Sequence, residues 1–449
     1  MSTLPLGEIQ GLVLRSYGMN ALRLFVLRVA DVTASRKVLG ALPVTSGSVW
    51  STKPDYCVNV AVTFEGLSAL RIPVVSLGTF PVEFAEGAVK RAAIVGDTGT
   101  NSPATWKPAL TGDGVHVLVF VFAQTKDILE AQSTSLRALW SNPPAMSEVF
   151  ALESGMLPDE LAHFGYRDGF SQPTIEGGLP NPVPDILPKA PAGEFILGYP
   201  SQYDQFSYPV PQPDQLGVNG SFLALRILEQ DCAAFDQMLK DAPQKYGISG
   251  ELLAAKMCGR WRNGVPLTLS PDTDRPAEPI PLAKMNNYDY VPTADNPQTY
   301  DDSKGYRCPI GSHMRRANPR SSTIAGGSGV KRRIVRRGLP YGPAFDPAHP
   351  DDGMERGLLG IFIGASLKDQ FEFLMSEWIN GDTFAPGLHG TCDPVLGGSA
   401  AGEGKHSVPV QGGTKLSVSG FSQLVTTRGG AYGFLPSISA LQYIAGINS

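Results

Sequence analysis

The sequence predicts an α+β fold, a tandem of two ferredoxin-like domains with antiparallel sheets. Three observations carry this. Each half of the chain alternates strand-like and helix-like stretches in the strand-helix-strand order of a split βαβ unit. The helical stretches open and close on recognisable cap and breaker residues. The second half holds an insertion of about 110 residues (roughly 245–355) between its early and late elements, too long for a plain loop in a compact domain.

The elements follow in order. Ala21 to Ala30 (ALRLFVLRVA) is an apolar strand, and residues 33–43 form a short helical stretch. Cys57 to Phe64 (CVNVAVTF) is β-branched and alternates, as a strand does. After a loop rich in Gly, Thr, Asn and Pro, Val115 to Phe122 (VHVLVFVF) is a near-continuous apolar run, which suits a strand buried on both faces. A helix runs from about Lys126 to Trp140 and stops at Asn142-Pro143-Pro144. Glu148 to Glu153 closes the first unit. The plan then repeats. Ser221 to Leu228 (SFLALRIL) is a strand, the next helix starts near Asp231, and Gly357 to Gly364 (GLLGIFIG) is another strand. Ser366 to Asn380 is a helix with Ser366 and Asp369 as a capping pair and Gly381 as its expected end. The predicted domains are 1–182 and 183–449, with the Pro-rich stretch 183–220 as linker.

Composition narrows the function. The 449 residues are 42% hydrophobic and 18% charged, enough to bury a sizeable core. A net charge of −5 argues against nucleic acid as partner, since phosphate binding needs a basic surface. No apolar run reaches the roughly 18 residues of a membrane helix. The first residues, MSTLPLGEIQGL, lack a basic stretch followed by an apolar one, so a cytoplasmic protein is expected, or a secreted one if a leader has been removed. The five cysteines (57, 232, 258, 308 and 392) match no zinc spacing and read as buried free thiols.

Three stretches carry candidate chemistry. Residues 165–173 read GYRDGFSQP, in which Asp168 is either a turn-capping residue or an acid/base. Residues 308–320 read CPIGSHMRRANPR, with His313 beside Arg315, Arg316 and Arg320. Five other histidines compete with His313 for any ligand role: His116, His163, His349, His389 and His406. Residues 335–342 read VRRGLPYG and add Arg336, Arg337 and Tyr341. A neutral histidine suits iron, arginines suit the propionates of a haem, and a separate Asp–Arg pair suits proton and charge management on the other haem face.

Together these stretches resemble the dye-decolorizing peroxidases. GYRDG matches that family's GxxDG signature, CPIGSHMRRANPR the segment of its proximal haem histidine, and VRRGLPYG the segment of its distal arginine. EIQGLVL, NVAVTFEGL, NGSFLALRILEQD, GRWRNGVPL, FEFLMSEWIN and PSISAL are similar as well, so the resemblance spans about residues 8–441. The large insertion resembles the long, advanced subgroup of bacteria and fungi. The resemblance implies haem b (iron protoporphyrin IX), held mainly by the second domain and its insertion, with hydrogen peroxide as oxidant and aromatic dyes and phenols as one-electron donors. His313 would bind the iron and Asp393, in CDPVLG, would accept from its other ring nitrogen. Arg320 would pair with a propionate, with Arg315 a second candidate. Asp168 would move the peroxide proton. Arg336 would stabilise charge on the leaving oxygen; it lies five residues before Tyr341, as the family's arginine lies before the aromatic of its Pro-aromatic-Gly motif, which favours it over Arg337.

The family often shows a Leu-Leu-Phe stretch over the distal haem face. Here it reads Leu358-Leu359-Gly360, so Leu358 and Gly360 are expected at the haem, with a more open pocket at Gly360. Trp378 and Tyr341 are candidate electron relays to bulky donors. Trp378 also sits on the apolar stripe Leu367, Phe371, Leu374, Met375, Ile379, which suits plain core packing. Asp346, Asp351, Asp352 and Glu355 are a candidate Mn(II) site or a solvated acidic loop. The rival functions are a haem-handling protein without strong peroxidase activity and a haem-free binding module.

Overall fold

The computed structural model describes residues 4–447, apart from 168, 170, 182, 184, 204–205, 295–298, 325–326, 329, 400–401 and 413–414, and apart from the side chains of 323–324 and 327–328. Its strands are β1 (Ala21–Val29), β2 (Tyr56–Val62), β3 (Val117–Ala123), β4 (Met146–Gly155), β5 (Ser221–Gln230), β6 (Thr323–Ile324), β7 (Gly327–Ser328), β8 (Val335–Arg336), β9 (Leu339–Tyr341), β10 (Gly357–Gly364), β11 (Gly404–Pro409), β12 (Lys415–Phe421) and β13 (Val425–Leu435).

Nine of these form one antiparallel sheet in the order β4-β1-β3-β2-β13-β5-β10-β8, with β9 also paired to β10. Numbered within its own half, each group of four reads 4-1-3-2, so the ferredoxin-like order occurs twice. The two groups meet where Phe434 of β13 pairs with Val62 of β2. The predicted strands stand within two residues of their expected ends. β13 was not foreseen, although it pairs with β5 along its whole length. The pairing of β8 and β9 with β10 was also not foreseen.

Helices Val32–Ala41, Lys126–Ser141 and Cys232–Tyr246 start on Asp31, Thr125 and Asp231, and each of these side chains accepts the backbone N–H three residues on. Ser366 does the same for Asp369, as expected, but the helix it opens is π-wound over Leu367–Glu372 and Leu374–Ile379. Gly381 does not end that helix in a left-handed turn; its carbonyl accepts from Arg316 instead.

Strand alternation builds two apolar layers. One face of the sheet presents Leu24, Leu118, Phe120, Leu225, Leu359, Ile361 and Ile363 to the N-terminal segment Leu12–Leu14. The other presents Phe25, Val60, Val119, Val121 and Phe222 to Leu39, Leu129, Leu136 and Leu441 of the helices. Buried ion pairs join the halves: Arg226 grips Asp97 with two bonds of 2.5 Å, and Arg91 holds Glu372 at 2.6 Å.

The stretch 183–220 is not a bare linker. Phe195, Ile196, Leu197 and Leu216 are buried, and Ala190 bridges to Ile175. The insertion holds the helices Gly250–Cys258 and His313–Ala317, but much of it is irregular chain whose carbonyls are satisfied by arginine and tryptophan side chains. No described helix is long and apolar enough to cross a membrane.

Candidate active site

His313 opens a five-residue helix. Ser312 forms its N-cap after a turn closed by the Ser312 N–H on the Pro309 carbonyl, and Asn318-Pro319 ends it. The His313 Nδ1 lies 2.8 Å from Asp393 Oδ2. Asp393 is 1% exposed, and its other oxygen accepts the N–H groups of Val395 and Leu396 at 2.8 Å each. Burial alone would raise its pKa, but the imidazole and the three hydrogen bonds prevail and hold the carboxyl below the usual carboxylate range. An ionised carboxylate that already takes two backbone donors cannot swing, so it fixes the ring. Nδ1 is engaged, and Nε2 points from the opposite ring edge of a side chain that is 27% exposed.

The three arginines after His313 differ. Arg315 donates to the Asp302 carboxylate and carbonyl and to the Cys308 carbonyl, and lies over Tyr290. Both of its terminal nitrogens are taken up in shaping the loop, and its buried Nε has no hydrogen-bond partner among the described residues. Arg316 braces the carbonyls of Trp378, Gly381 and Thr391. Arg320 donates through Nη1 to Asp185 and the Tyr288 carbonyl, while its buried Nη2 has no hydrogen-bond partner among the described residues. A buried guanidinium nitrogen without an acceptor is costly, and an anionic group there would satisfy it.

The other described histidine contacts favour structural roles. His116 binds Val29 N–H and the Asp113 carbonyl, His163 the Tyr341 carbonyl, and His406 the Lys256 carbonyl. His349 pairs with Asp346 in the open.

Asp168 lies outside the described residues. Its flanking chain is well anchored. The Arg167 N–H donates to the Arg262 carbonyl, Tyr166 Oη to the Ala254 carbonyl, and Gly165 and Gly169 take positive φ. Arg336 reaches the same segment: its N–H donates to Gln172 Oε1 at 3.1 Å and its Nη2 to the Ser171 carbonyl at 2.7 Å. Its neighbour Arg337 points to the opposite face, donating to the Leu12 and Val13 carbonyls. Burial lowers the pKa of Arg337. Strand alternation thus separates the two arginines that sequence left adjacent.

Leu358 and Gly360 lie on one face of β10. Leu358 packs in the cluster of Phe164, Phe235 and Leu253, with Tyr166 and Phe345. The opening expected at Gly360 is filled: a Cβ there would meet the Phe362 ring at 2.8 and 3.1 Å. Phe362 went unremarked in the sequence, although it is the next residue on the same strand face and could have been found by that spacing. Asp185, in the supposed linker, also went unremarked and holds Arg320.

Trp378, the first candidate relay, is 1% exposed and edge-on to Phe373 and Phe384, as its apolar stripe suits. Tyr341 is likewise buried and donates to Glu355. Three of the four acidic residues of the candidate Mn(II) cluster have individual partners: Asp346 binds His349, Asp352 binds Arg356, and Glu355 binds Lys107. Among the described residues, no group of three or more His, Cys, Asp or Glu side chains is arranged to hold a metal ion.

No family model matches the chain. Among known proteins, a dye-decolorizing peroxidase of Auricularia auricula-judae is 31% identical over 423 residues, covering 89% of this chain and 77% of that one. One from Exidia glandulosa is 30% identical over 464 residues, covering 98% and 87%. Among solved structures, a fungal DyP-type peroxidase from Auricularia auricula-judae superposes with a TM-score of 0.83 at 27% identity, over 99% of this chain and 100% of that one. A dye-decolorizing peroxidase in complex with 2,6-dimethoxyphenol superposes at 0.81 and 26% identity, over 99% and 100%. With this likeness along its whole length, the chain belongs to the dye-decolorizing peroxidase family, whose members imply a haem cofactor, and it is a hydrogen-peroxide-dependent oxidoreductase.

Proposed function

We propose that this peroxidase binds haem b on His313 and oxidises dyes and phenols at the expense of hydrogen peroxide. The carrying observation is the 2.8 Å His313–Asp393 pair, because a buried carboxylate on the far nitrogen orients a metal-ligating imidazole and makes it more basic. The unpartnered Arg320 Nη2 fits the same cofactor, since a propionate would supply its missing acceptor. When bound, haem supplies the redox chemistry, two-electron reduction of peroxide followed by one-electron oxidation of donors.

In this reading His313 Nε2 holds the iron, and Arg320 anchors a propionate. Domain 183–449 and its insertion provide most of the cradle, and domain 1–182 provides the GxxDG loop. Asp168, as carboxylate, takes the proton from one peroxide oxygen and returns it to the other as the O–O bond breaks, so that water leaves. Arg336 places a fixed positive charge where the leaving oxygen becomes negative. Mn(II) is not part of the proposal.

The test is ligation in the haem-loaded protein. His313→Ala is expected to abolish the wild-type ferric spectrum, while His349→Ala and His406→Ala keep it. A wild-type spectrum in His313→Ala would remove the ligand assignment. Turnover of 2,6-dimethoxyphenol and of an anthraquinone dye by the wild type then tests the donor class.

A further inference from the structure

The strand β10 presents Leu358, Gly360 and Phe362 on one face, and that face meets Arg336. In the antiparallel pairing of β10 with β8, Phe362 stands directly opposite Arg336. Directly paired residues send their side chains to the same side of a sheet, with Cβ atoms about 4.5–5.5 Å apart. Phe362 is therefore the cross-strand neighbour of the guanidinium assigned to the peroxide. Its ring also turns back along the strand over Gly360, close enough that even one added carbon there would collide with it at 2.8 Å. The ring is held in this position by stacking on Phe371, 5.5 Å between centroids and 30° between planes. Gly360 and Phe362 are thus one device, in which the missing side chain makes room for the ring of the residue two places on.

We propose that Phe362 is the aromatic wall of the peroxide side and determines the size of ligand admitted beside Arg336. This rests on the haem reading above. A small diatomic or peroxide needs no more room than the ring leaves, whereas a five-membered ring must displace it. Specificity is then steric and local. Removing the ring relaxes it, and adding a side chain at residue 360 forces Phe362 out of its stack on Phe371.

Ferric-spectrum titrations of the holoenzyme with imidazole and with cyanide test this. Phe362→Ala is expected to tighten imidazole binding by roughly tenfold or more, the scale at which a filled or emptied pocket discriminates, and to leave cyanide binding within about twofold. Phe362→Leu, a gentler change that keeps the strand packed, should move imidazole in the same direction. An imidazole-to-cyanide ratio equal to the wild type in both variants overturns the proposal. A second measurement needs no haem: Gly360→Ala should lower the melting temperature of the apoprotein in the wild-type background and much less in the Phe362→Ala background. Equal losses in the two backgrounds would also overturn it, because the ring would then not be what residue 360 meets. If His313→Ala keeps the wild-type spectrum, the haem reading fails, and the apoprotein pair still decides whether Gly360 and Phe362 are coupled.

Discussion

β3 and β10 are the third strands of their respective repeats, and they are built differently. In β3 every residue is buried: Val117, Val119 and Val121 face the helix layer, and Leu118, Phe120 and Phe122 face the other. β10 keeps one of these faces intact, with Leu359, Ile361 and Ile363 in the layer it shares with β3. On its other face stand Leu358, Gly360 and Phe362, where the first repeat has valines under a helix. One topology thus serves two purposes. The first repeat uses both strand faces for core, and the second gives one face to the candidate site and covers it with the insertion rather than with a helix alone. Repeating a fold leaves one copy free to take on chemistry while the other supplies stability.

The sharpest way to break this comparison uses neighbouring arginines on opposite faces. Arg336 lies on the working face and Arg337 on the core face. Asp168→Asn is expected to slow the reaction of the ferric enzyme with peroxide by about 10²–10⁴-fold. Arg336→Leu should slow it by about 10²–10³-fold, with haem retained in both. Arg337→Leu should leave that rate near wild type but lower the melting temperature, since its bonds to the Leu12 and Val13 carbonyls are lost in a buried setting. Stopped-flow traces and thermal melts on the three variants decide it. A slow Arg337 variant of normal stability would reverse the assignment of the faces.

How much of this was legible beforehand depended on how local each signal was. The helices Lys126–Ser141 and Cys232–Tyr246 and the strands β1, β3, β5 and β10 declare themselves through apolar patterning and caps within a few residues. β13 does not: Val425-Thr-Thr-Arg-Gly-Gly-Ala lacks a period-two pattern, and the strand exists because β5 offers it an edge to pair with. β8 and β9 are two and three residues long, too short for any periodic signal, yet they set which arginine faces the site. Within the site, the His313–Asp393 contact spans 80 residues and came only through the family resemblance. Arg315 and Arg320 look alike in the sequence, and only the position of Asp302 commits the first to the loop.

The tryptophans sharpen the comparison further. Trp140 and Trp378 lie near the ends of corresponding helices in the two repeats, and both are buried. Trp140 packs edge-on against Phe25, and Trp378 against Phe373 and Phe384. Truncating either to Ser should cost roughly 3–5 kcal/mol of stability. Trp140→Ser then calibrates what packing loss alone does to turnover. If Trp378 relays electrons, Trp378→Phe, which keeps most of the volume, should still depress oxidation of a bulky dye while leaving the peroxide reaction near normal. Loss of dye oxidation only in step with stability, as in Trp140→Ser, assigns Trp378 to the core.

The smallest expected effect separates the repeats by pH. Each half buries a histidine besides the candidate iron ligand, and burial lowers the pKa of both. His116 is the less enclosed of the two, and a hydrogen bond to the Asp113 carbonyl opposes the shift. His406, at the hairpin β11–β12, is pushed down to about 4 from 6.5, because burial outweighs its bond to the Lys256 carbonyl. The sign follows from proton uptake. As pH falls below 6.5 the unfolded chain protonates this residue while the folded chain does not, so folding stability is complete above that pH and declines on the way to 4. A shift from 6.5 to about 4 corresponds to roughly 3 kcal/mol across that window. His406→Gln keeps a donor for the Lys256 carbonyl but does not titrate. Its melting temperature should therefore fall less steeply between pH 6.5 and 4 than that of the wild type, and the two curves should run parallel above pH 7. His116→Gln, measured alongside, should flatten the same slope by less. Parallel wild-type and His406→Gln curves throughout would show that this side chain is already protonated in the folded protein at mildly acidic pH, and the hairpin would then have to open to water there.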